Sequence, residues 1–183
     1  MVDVKNVAAQ QNPILHTNAR KNVVLSGTGH RPNKLNNEYD IKGRMTKAIA
    51  QRVYEIFELI RPDEIVTGVA LGFDMILAVC SIRAGIKFTA AVPFKGQELG
   101  WPEASRRLYN SILENRLCSP IIITEGPYAA WKMFKRDEWM VDRGTELIAC
   151  WNGAEDGGTY KTVKYAQSKG KKIHYINPKE LTW

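Results

Sequence analysis

Three short apolar runs in this chain of 183 residues end at glycines and then give way to a helix-like pattern. The glycine breaks are Ser26-Gly27-Thr28-Gly29, Gly68-Val69-Ala70-Leu71-Gly72 and Asp156-Gly157-Gly158-Thr159. A strand that breaks at glycines and enters a helix directs backbone N–H groups at one point, where an anion can bind. The repeated pattern therefore predicts strand–helix units that share an anion site.

The alternation of strand and helix patterns continues along the chain. Short apolar or β-branched runs predict strands at residues 23–27, 64–68, 88–93, 120–124, 146–151 and 172–176. Between them, apolar residues recur at steps of three and four, as at Met45, Ile49 and Val53. Such alternation predicts an α/β fold with a mostly parallel sheet of about six strands and helices on both faces.

Composition limits the class of protein. With 44% hydrophobic and 25% charged residues, the length fits one domain, predicted at residues 22–183 after an N-terminal arm at residues 1–21. Cys80, Cys118 and Cys150 lie in apolar runs without metal-ligand spacing, which predicts free thiols, a reducing compartment and no metal site. Because no membrane span or signal peptide is recognisable, we expect a cytoplasmic protein without membrane contact or cofactor.

The net charge of +7 comes from lysines and arginines that are scattered along the chain. Scattered charge favours an anionic ligand or a solubilising surface over a dedicated nucleic-acid groove. In a parallel sheet, the ligand lies beyond the carboxyl ends of the strands, at the point where the strand order reverses. All three glycine breaks follow predicted strands, so we expect them to meet in one crevice.

Each segment at this edge has a predicted role and an alternative. The amides of Gly157, Gly158 and Thr159, together with Arg31, are predicted to bind phosphate, and His30 adds a titratable donor. The alternative for the last break is a tight turn with Thr159 as the N-cap of a helix. Asp74 or Asp142 is predicted to accept from a ribose hydroxyl, and the alternative for Asp74 is a simple interaction with the dipole of its own helix.

Aromatic and acidic side chains complete the predicted site. Pro93, Phe94, Gln97 and Trp101 follow the third strand and are the candidates for base recognition, with Trp151 as another stacking ring. Glu138 and Asp142 are four residues apart, so they share a helix face. Together with Asp74 they are candidate catalytic acids, and the alternative for the pair is an exposed charged face.

Several motifs together resemble one family, over about residues 22–178. They are S-G-T-G-H-R-P at 26–32, G-V-A-L-G-F-D-M at 68–75, R-D-E-W-M-V-D at 136–142 and A-C-W-N-G with D-G-G-T at 149–159. The chain is identified as a member of the SLOG superfamily, in its YpsA-like or DprA-like branch. The resemblance implies a Rossmann-like three-layer sandwich that binds a nucleotide or nucleotide derivative as a homo-oligomer. It also implies Asn where this chain has Asp137, while Asp142 matches the family pattern.

Members of this superfamily include ligand sensors, DNA-processing recombination mediators and cytokinin-activating N-glycosidases. In the family that this chain resembles, the N-glycosidases carry the motif P-G-G-x-G-T-x-x-E. The glutamate of this motif supports cleavage of the glycosidic bond. This chain has Thr162 and Val163 where that glutamate would stand, and Val163 cannot transfer a proton. The missing acid favours binding without turnover.

The sequence therefore predicts a sensor or sequestering protein for a phosphorylated nucleoside. The alternative is a nucleoside 5′-monophosphate N-glycosidase that acts as a phosphoribohydrolase or like a deoxyribosyltransferase, so whether the chain is an enzyme stays open. A third function is that of a DprA-like mediator that binds single-stranded DNA. The residues predicted to contact the ligand are Ser26, Gly27, Thr28, Gly29, His30, Arg31, Gly68, Ala70, Leu71, Gly72, Asp74, Pro93, Phe94, Gln97, Trp101, Arg136, Asp142, Trp151, Asp156, Gly157, Gly158 and Thr159.

Overall fold

The computed structural model describes residues 21–182, so the predicted arm lies outside the described residues except for Lys21. The elements, in chain order, are β1 (Val24–Gly29), α1 (Arg44–Ile60), β2 (Glu64–Thr67), α2 (Phe73–Ala84), β3 (Phe88–Val92), α3 (Glu103–Leu113), β4 (Cys118–Ile122), α4 (Ala130–Arg143), β5 (Glu146–Cys150), α5 (Gly157–Ser168) and β6 (Lys172–Ile176). Short 3₁₀ helices follow β1 at Pro32–Lys34 and β6 at Pro178–Glu180. All six predicted strands are present.

The six strands form one sheet in the order β4-β3-β2-β1-β5-β6, and every neighbouring pair is parallel. Parallel neighbours require a crossover connection, and each crossover here contains one helix. The chain moves in one direction from β1 to β4 and then returns to place β5 on the other side of β1. The strand order therefore reverses between β1 and β5, and the predicted α/β Rossmann-like fold is confirmed.

Helices cover both faces of the sheet, because alternate side chains of the central strands point to opposite sides. On one face α2 packs against α1 and α3, and on the other α4 packs against α5. In β5, Ile148 and Cys150 belong to the larger core, which contains the buried apolar residues of α1 and α2. Leu147 and Ala149 instead pack with Val141 of α4 and with α5. This burial on both faces explains the nearly continuous apolar strands.

The first two glycine breaks pack against each other. The Phe73 N–H donates to the carbonyl oxygen of His30 at 3.1 Å, which joins the start of α2 to the end of β1. Gly72, between them, has a φ of +93°, and a Cβ there would lie 2.4 Å from the same carbonyl oxygen. Only glycine fits both the left-handed backbone and this close approach.

The three cysteines are free thiols; Cys80 and Cys150 are buried, and Cys118 is half-buried. Burial raises the pKa of the Cys80 thiol to about 11. Within residues 21–182, no helix is long and apolar enough to cross a bilayer.

Candidate functional site

A cleft of about 410 Å³ opens at the carboxyl edge of the sheet. The end of β1 and the segments that follow all of β1 to β5 supply its walls, and α4 closes one side. Its lining residues are Thr28, Gly29, Arg31, Asp74, Phe94, Gln97, Trp101, Tyr128, Met133, Arg136, Asp137, Gly158 and Thr159. Each of the three glycine breaks contributes to the cleft, either directly or through the helix that follows it.

Arg136 on α4 is the most buried cation of the cleft, with 3% of its surface exposed. Its Nε lies 2.7 Å from Asp137 Oδ1, and its Nη1 lies 3.6 Å from Asp74 Oδ2. Gly68, after β2, makes this position available, because a Cβ there would lie 1.5 Å from Nη1. The second glycine break therefore admits a guanidinium group beneath the cleft.

The Arg136 guanidinium is not fully satisfied by the described part of the chain. Neither Nε nor Nη1 has a hydrogen-bond partner there, although both are buried. The 2.7 Å approach of Asp137 is thus an ion pair without hydrogen-bond alignment. A buried unpaired donor is costly, so the charge of the guanidinium is offset here by the nearby carboxylates of Asp74 and Asp137.

Asp74, in the first turn of α2, is a buried carboxyl group among arginines. Burial raises its pKa to about 6, although Arg136 and Arg31 both act in the opposite direction. Burial also lowers the pKa of Arg31, but an arginine keeps its charge at neutral pH. The cleft thus contains two guanidinium groups and a carboxyl group that titrates near neutrality.

The first turn of α5 borders the cleft through Gly158 and Thr159. Asp156 is the N-cap residue, yet its side chain makes no capping hydrogen bond and pairs instead with Lys34 of the β1–α1 segment. Thr159 lies inside the helix, so the alternative prediction that it is the N-cap is wrong. The opening amides of α5 have no side-chain cap, which leaves the positive end of the helix dipole at the cleft.

The opposite end of the cleft is aromatic. Phe94 and Tyr128 meet edge to face with their ring centroids 5.7 Å apart, and Trp101 contacts Tyr109 in the same way at 5.4 Å. The buried Lys132 donates to the carbonyl oxygens of Glu125 and Pro127, just before Tyr128. The ammonium group thereby holds the loop that places Tyr128 over the cleft.

Several predicted residues around β1 support the fold instead of lining the cleft. Ser26 Oγ donates to the Glu146 carbonyl oxygen at 3.2 Å, and a Cβ at Gly27 would lie 2.2 Å from a methyl carbon of Leu77. His30 is 3% exposed, and its Nε2 accepts from the Asn152 N–H at 3.1 Å. Burial lowers the pKa of His30, which favours the neutral form that this hydrogen bond requires.

Other predicted residues lie behind or beside the cleft. Trp151 packs between Tyr160 and Tyr175 and donates from Nε1 to the Ala154 carbonyl oxygen at 2.9 Å. The remaining residues outside the lining are Gly68, Ala70, Leu71, Gly72, Pro93, Asp156 and Gly157. They shape the backbone of the walls but do not face the cleft.

Glu138 and Asp142 do not line the cleft. Successive helical residues are about 100° apart, so these two acids lie roughly opposite the face that carries Met133, Arg136 and Asp137. Asp142 accepts from the Tyr165 hydroxyl at 3.0 Å and pairs with Lys169 on the surface. The structure thus supports the alternative of a charged outer face for this pair.

Sequence reasoning missed Tyr128, Met133 and Asp137 as lining residues. Met133 and Asp137 were detectable, since they lie three residues before and one residue after Arg136, on one face of a helix. Tyr128 had no such signal, because its position depends on the loop that Lys132 holds. In the described residues, no group of His, Cys, Asp or Glu side chains is arranged to hold a metal ion.

The strand order and the cleft at its reversal define an α/β protein of the Rossmann-like class. The YpsA family model, described as the YspA SLOG family, matches residues 25–181, and the chain belongs to this family. The predicted membership in the SLOG superfamily is thus confirmed. The chain is also 29% identical to YoqJ of Bacillus subtilis (strain 168), an uncharacterised SPbeta prophage-derived protein, over 62% of this chain and 75% of YoqJ.

Two solved structures of DNA processing protein A (DprA) share the fold. The Streptococcus pneumoniae protein superposes with a TM-score of 0.59 at 17% identity, over 86% of this chain and 51% of that protein. The Helicobacter pylori protein, whose structure concerns its single-stranded DNA binding mode, gives 0.59 at 14% identity, over 85% and 65%. The chain thus spans about half to two thirds of the length of these DprA proteins.

Proposed function

We propose that the cleft binds a phosphorylated nucleoside and that the protein acts as a sensor or sequestering protein. The observation that carries this proposal is the convergence of two guanidinium groups, those of Arg31 and Arg136, on the lining of one cleft. Arg31 and the uncapped start of α5 line the same cleft. Two guanidinium groups and a helix N-terminus are a strong combination for an anion.

The phosphate group is assigned to Arg31 and to the amides of Gly158 and Thr159. Arginine offers a planar fork of donors that fits phosphate, and the helix dipole adds a positive potential. Gly158 is exposed and has open space around its Cα, so the backbone can be approached closely. Asp156 does not compete for the helix amides, because Lys34 holds its side chain.

The ribose and the base are assigned to the rest of the cleft. The carboxylates of Asp74 and Asp137 line the same cleft and are assigned as acceptors for the ribose hydroxyls. Phe94, Trp101 and Tyr128 provide the aromatic surface on which a base stacks. The cleft thus has an anion-binding end, a middle assigned to the sugar and an aromatic end. These three parts correspond to the phosphate, ribose and base of a nucleotide.

Binding without turnover is favoured by the helix that follows Thr159. Thr162 is buried, and its hydroxyl lies 2.9 Å from the Gly158 carbonyl oxygen and 3.2 Å from Asp137 Oδ2. Val163 is fully buried in the core beside α4. Neither residue can serve as the acid that a glycosidic hydrolase needs at this position.

A second candidate function is hydrolysis of the N-glycosidic bond, and the raised pKa of Asp74 favours it. With a pKa of about 6, a minor fraction of Asp74 is protonated at neutral pH, and this acid form can donate its proton to a leaving base. The oxygen of a water molecule would form the new bond to C1′ as the bond from C1′ to nitrogen breaks, and the carboxylate left on Asp74 would take up the proton that the water loses. Asp74 is the acid assigned to this reaction.

Titration calorimetry with nucleoside 5′-monophosphates tests the proposed binding, and a Gly158→Asp variant tests the phosphate assignment. Because a Cβ at Gly158 meets nothing within 4 Å, the fold should tolerate the change. An added carboxylate beside the phosphate should weaken binding about tenfold or more. Gly158→Asn has the same shape without the charge and should bind nearly as the unmodified protein does.

Equal affinity of the Asp and Asn variants would contradict the phosphate assignment. Chromatographic separation of the products decides the second candidate, since release of free base would show turnover and its loss in Asp74→Asn would identify the acid. Binding of single-stranded oligonucleotides with a steep salt dependence, in the absence of mononucleotide binding, would instead support the mediator function.

A further inference from the structure

We infer that Gln97 makes the cleft selective for nucleobases that carry an exocyclic amine. This inference rests on the proposed function, because it concerns the base end of the same cleft. Gln97 follows β3, lines the cleft beside Phe94 and Trp101, and is 8% exposed. A buried amide at the aromatic end is in a position to read the edge of a base.

The side-chain amide of Gln97 is held by two hydrogen bonds from its nitrogen. Nε2 donates to the Gly68 carbonyl oxygen and to the Tyr109 hydroxyl, both at 3.3 Å. Tyr109 is itself fixed by its edge-to-face contact with Trp101. The amide is therefore attached both to the glycine break after β2 and to α3.

These bonds also fix which end of the amide is free. The Gly68 carbonyl can only accept, so a flipped amide would place two oxygens against each other. Oε1 is thus the remaining end, and it is buried without a hydrogen-bond partner in the described part of the chain. Gln97 thus contributes an unsatisfied acceptor just behind the surface of the cleft, while its donors are already used.

An acceptor of this kind distinguishes amino bases from oxo bases. The amino group of adenine or cytosine donates, whereas the oxo group at the same position of hypoxanthine or uracil accepts. An oxo group facing Oε1 would leave two acceptors opposed and unpaired. Sites built around one polar contact reject the wrong partner strongly for this reason.

The test uses two pairs of nucleotides that differ at this one position, AMP with IMP and CMP with UMP. Titration calorimetry of the unmodified protein should show binding about tenfold tighter for the amino member of at least one pair. Gln97→Met, which keeps the length of the side chain but removes the amide, should bring the two members of that pair within about twofold. In a Gly100→Ala variant the added methyl group has no atom within 4 Å, so this control should keep the preference for the amino member of the pair.

The outcomes separate this inference from the function on which it rests. If all four nucleotides bind with equal affinity, or if the oxo members bind more tightly, the role of Gln97 is overturned while nucleotide binding stands. If discrimination is present but persists in Gln97→Met, another residue reads the base and the inference again fails. If none of the four binds, both the inference and the proposed function fall.

Discussion

At the scale of single residues, the cleft depends on a buried group of charges in which Asp74 is the titrating member. Its native pKa of about 6 lies above the ordinary value of 3.8, because burial outweighs the attraction of Arg136 and Arg31. At pH values between 3.8 and about 6, the Asp74 carboxyl group is protonated more fully in the native state than in the unfolded state. Stability therefore falls as the pH rises through this window.

The Asp74→Asn variant should not show this decrease in stability with rising pH, because asparagine does not titrate. Across pH 4 to 7, we expect the free energy of unfolding of the unmodified protein to decrease by about 2 kcal/mol relative to the variant. Urea denaturation at a series of pH values measures the difference. If the stabilities of the two proteins follow parallel curves over this range, Asp74 does not hold its proton in the native state.

Gly68 is a second residue whose role depends on Arg136. Gly68→Ala would place a Cβ 1.5 Å from Nη1 and 2.7 Å from Asp74 Oδ2, so the guanidinium must leave its position. We expect a loss of about 1–3 kcal/mol in the free energy of unfolding, as for other overpacked sites. Chemical denaturation measures it, and weaker nucleotide binding should accompany it.

Gly100→Ala is the matched control for Gly68→Ala. No atom lies within 4 Å of a Cβ built at Gly100. Its stability should stay within about 0.5 kcal/mol of the unmodified protein. If Gly68→Ala is equally neutral, the close approach of Arg136 to this glycine does not constrain the fold.

At the scale of elements, β4 is an edge strand whose outer side is protected. The hydrogen bonds from Phe88 N–H to the Leu117 carbonyl and from Ile123 N–H to the Val92 carbonyl show that the odd-numbered residues of this segment face β3. Pro120 therefore faces outward and offers no N–H group. The outward N–H of Cys118 is already bonded to the Asn115 carbonyl. Strand addition from another chain is thereby disfavoured.

Pro120→Thr should remove this protection. The new residue adds an outward N–H group beside Ile121 and Ile122, which are both exposed. We expect larger species at high protein concentration, measured by sedimentation velocity. Ser119→Thr adds a similar side chain at a position that faces β3, and should sediment as the unmodified protein does. Identical sedimentation of all three proteins would show that Pro120 does not limit strand addition.

The sequence pattern of helix α4 predicts which of its residues share a face, but not which face lies in the cleft. Because 3.6 residues complete one turn, the position of Arg136 in the cleft also brings Met133 and Asp137 to it and turns Glu138 and Asp142 away. The sequence shows these spacings but not which face is buried. Only packing against β1, β2 and β3 decides that the Arg136 face is inside.

At the scale of the whole molecule, the cleft exists only when the ends of five strands, α4 and α5 are assembled. A nucleotide that binds this native assembly and not the unfolded chain should stabilise it by about 2.7 kcal/mol at 100 times its dissociation constant. For a chain of 183 residues this corresponds to an increase in Tm of about 5–10 °C. Scanning calorimetry with and without AMP and CMP measures it.

The Gly158→Asp variant is the control for this thermal shift. It should unfold near the same temperature without nucleotide, because its side chain meets open space, but should gain much less from the ligand. An equal gain in both proteins would place the nucleotide elsewhere on the molecule. Assembly into a homo-oligomer stays a prediction, and sedimentation equilibrium tests it.

The sequence by itself determined the α/β class, the six strands and the family. Apolar periodicity and glycine breaks are local patterns, so they can be recognised without knowing how the elements pack. It also indicated Arg31, Asp74, Arg136 and Gly158, which follow strand ends or belong to recognisable motifs. Tertiary structure alone decided that His30 and Trp151 support the fold, since burial and hydrogen-bond partners come from distant segments. It likewise decided that Tyr128 lines the cleft and that the Gln97 amide nitrogen bonds to Gly68 and Tyr109, because both depend on contacts between distant segments.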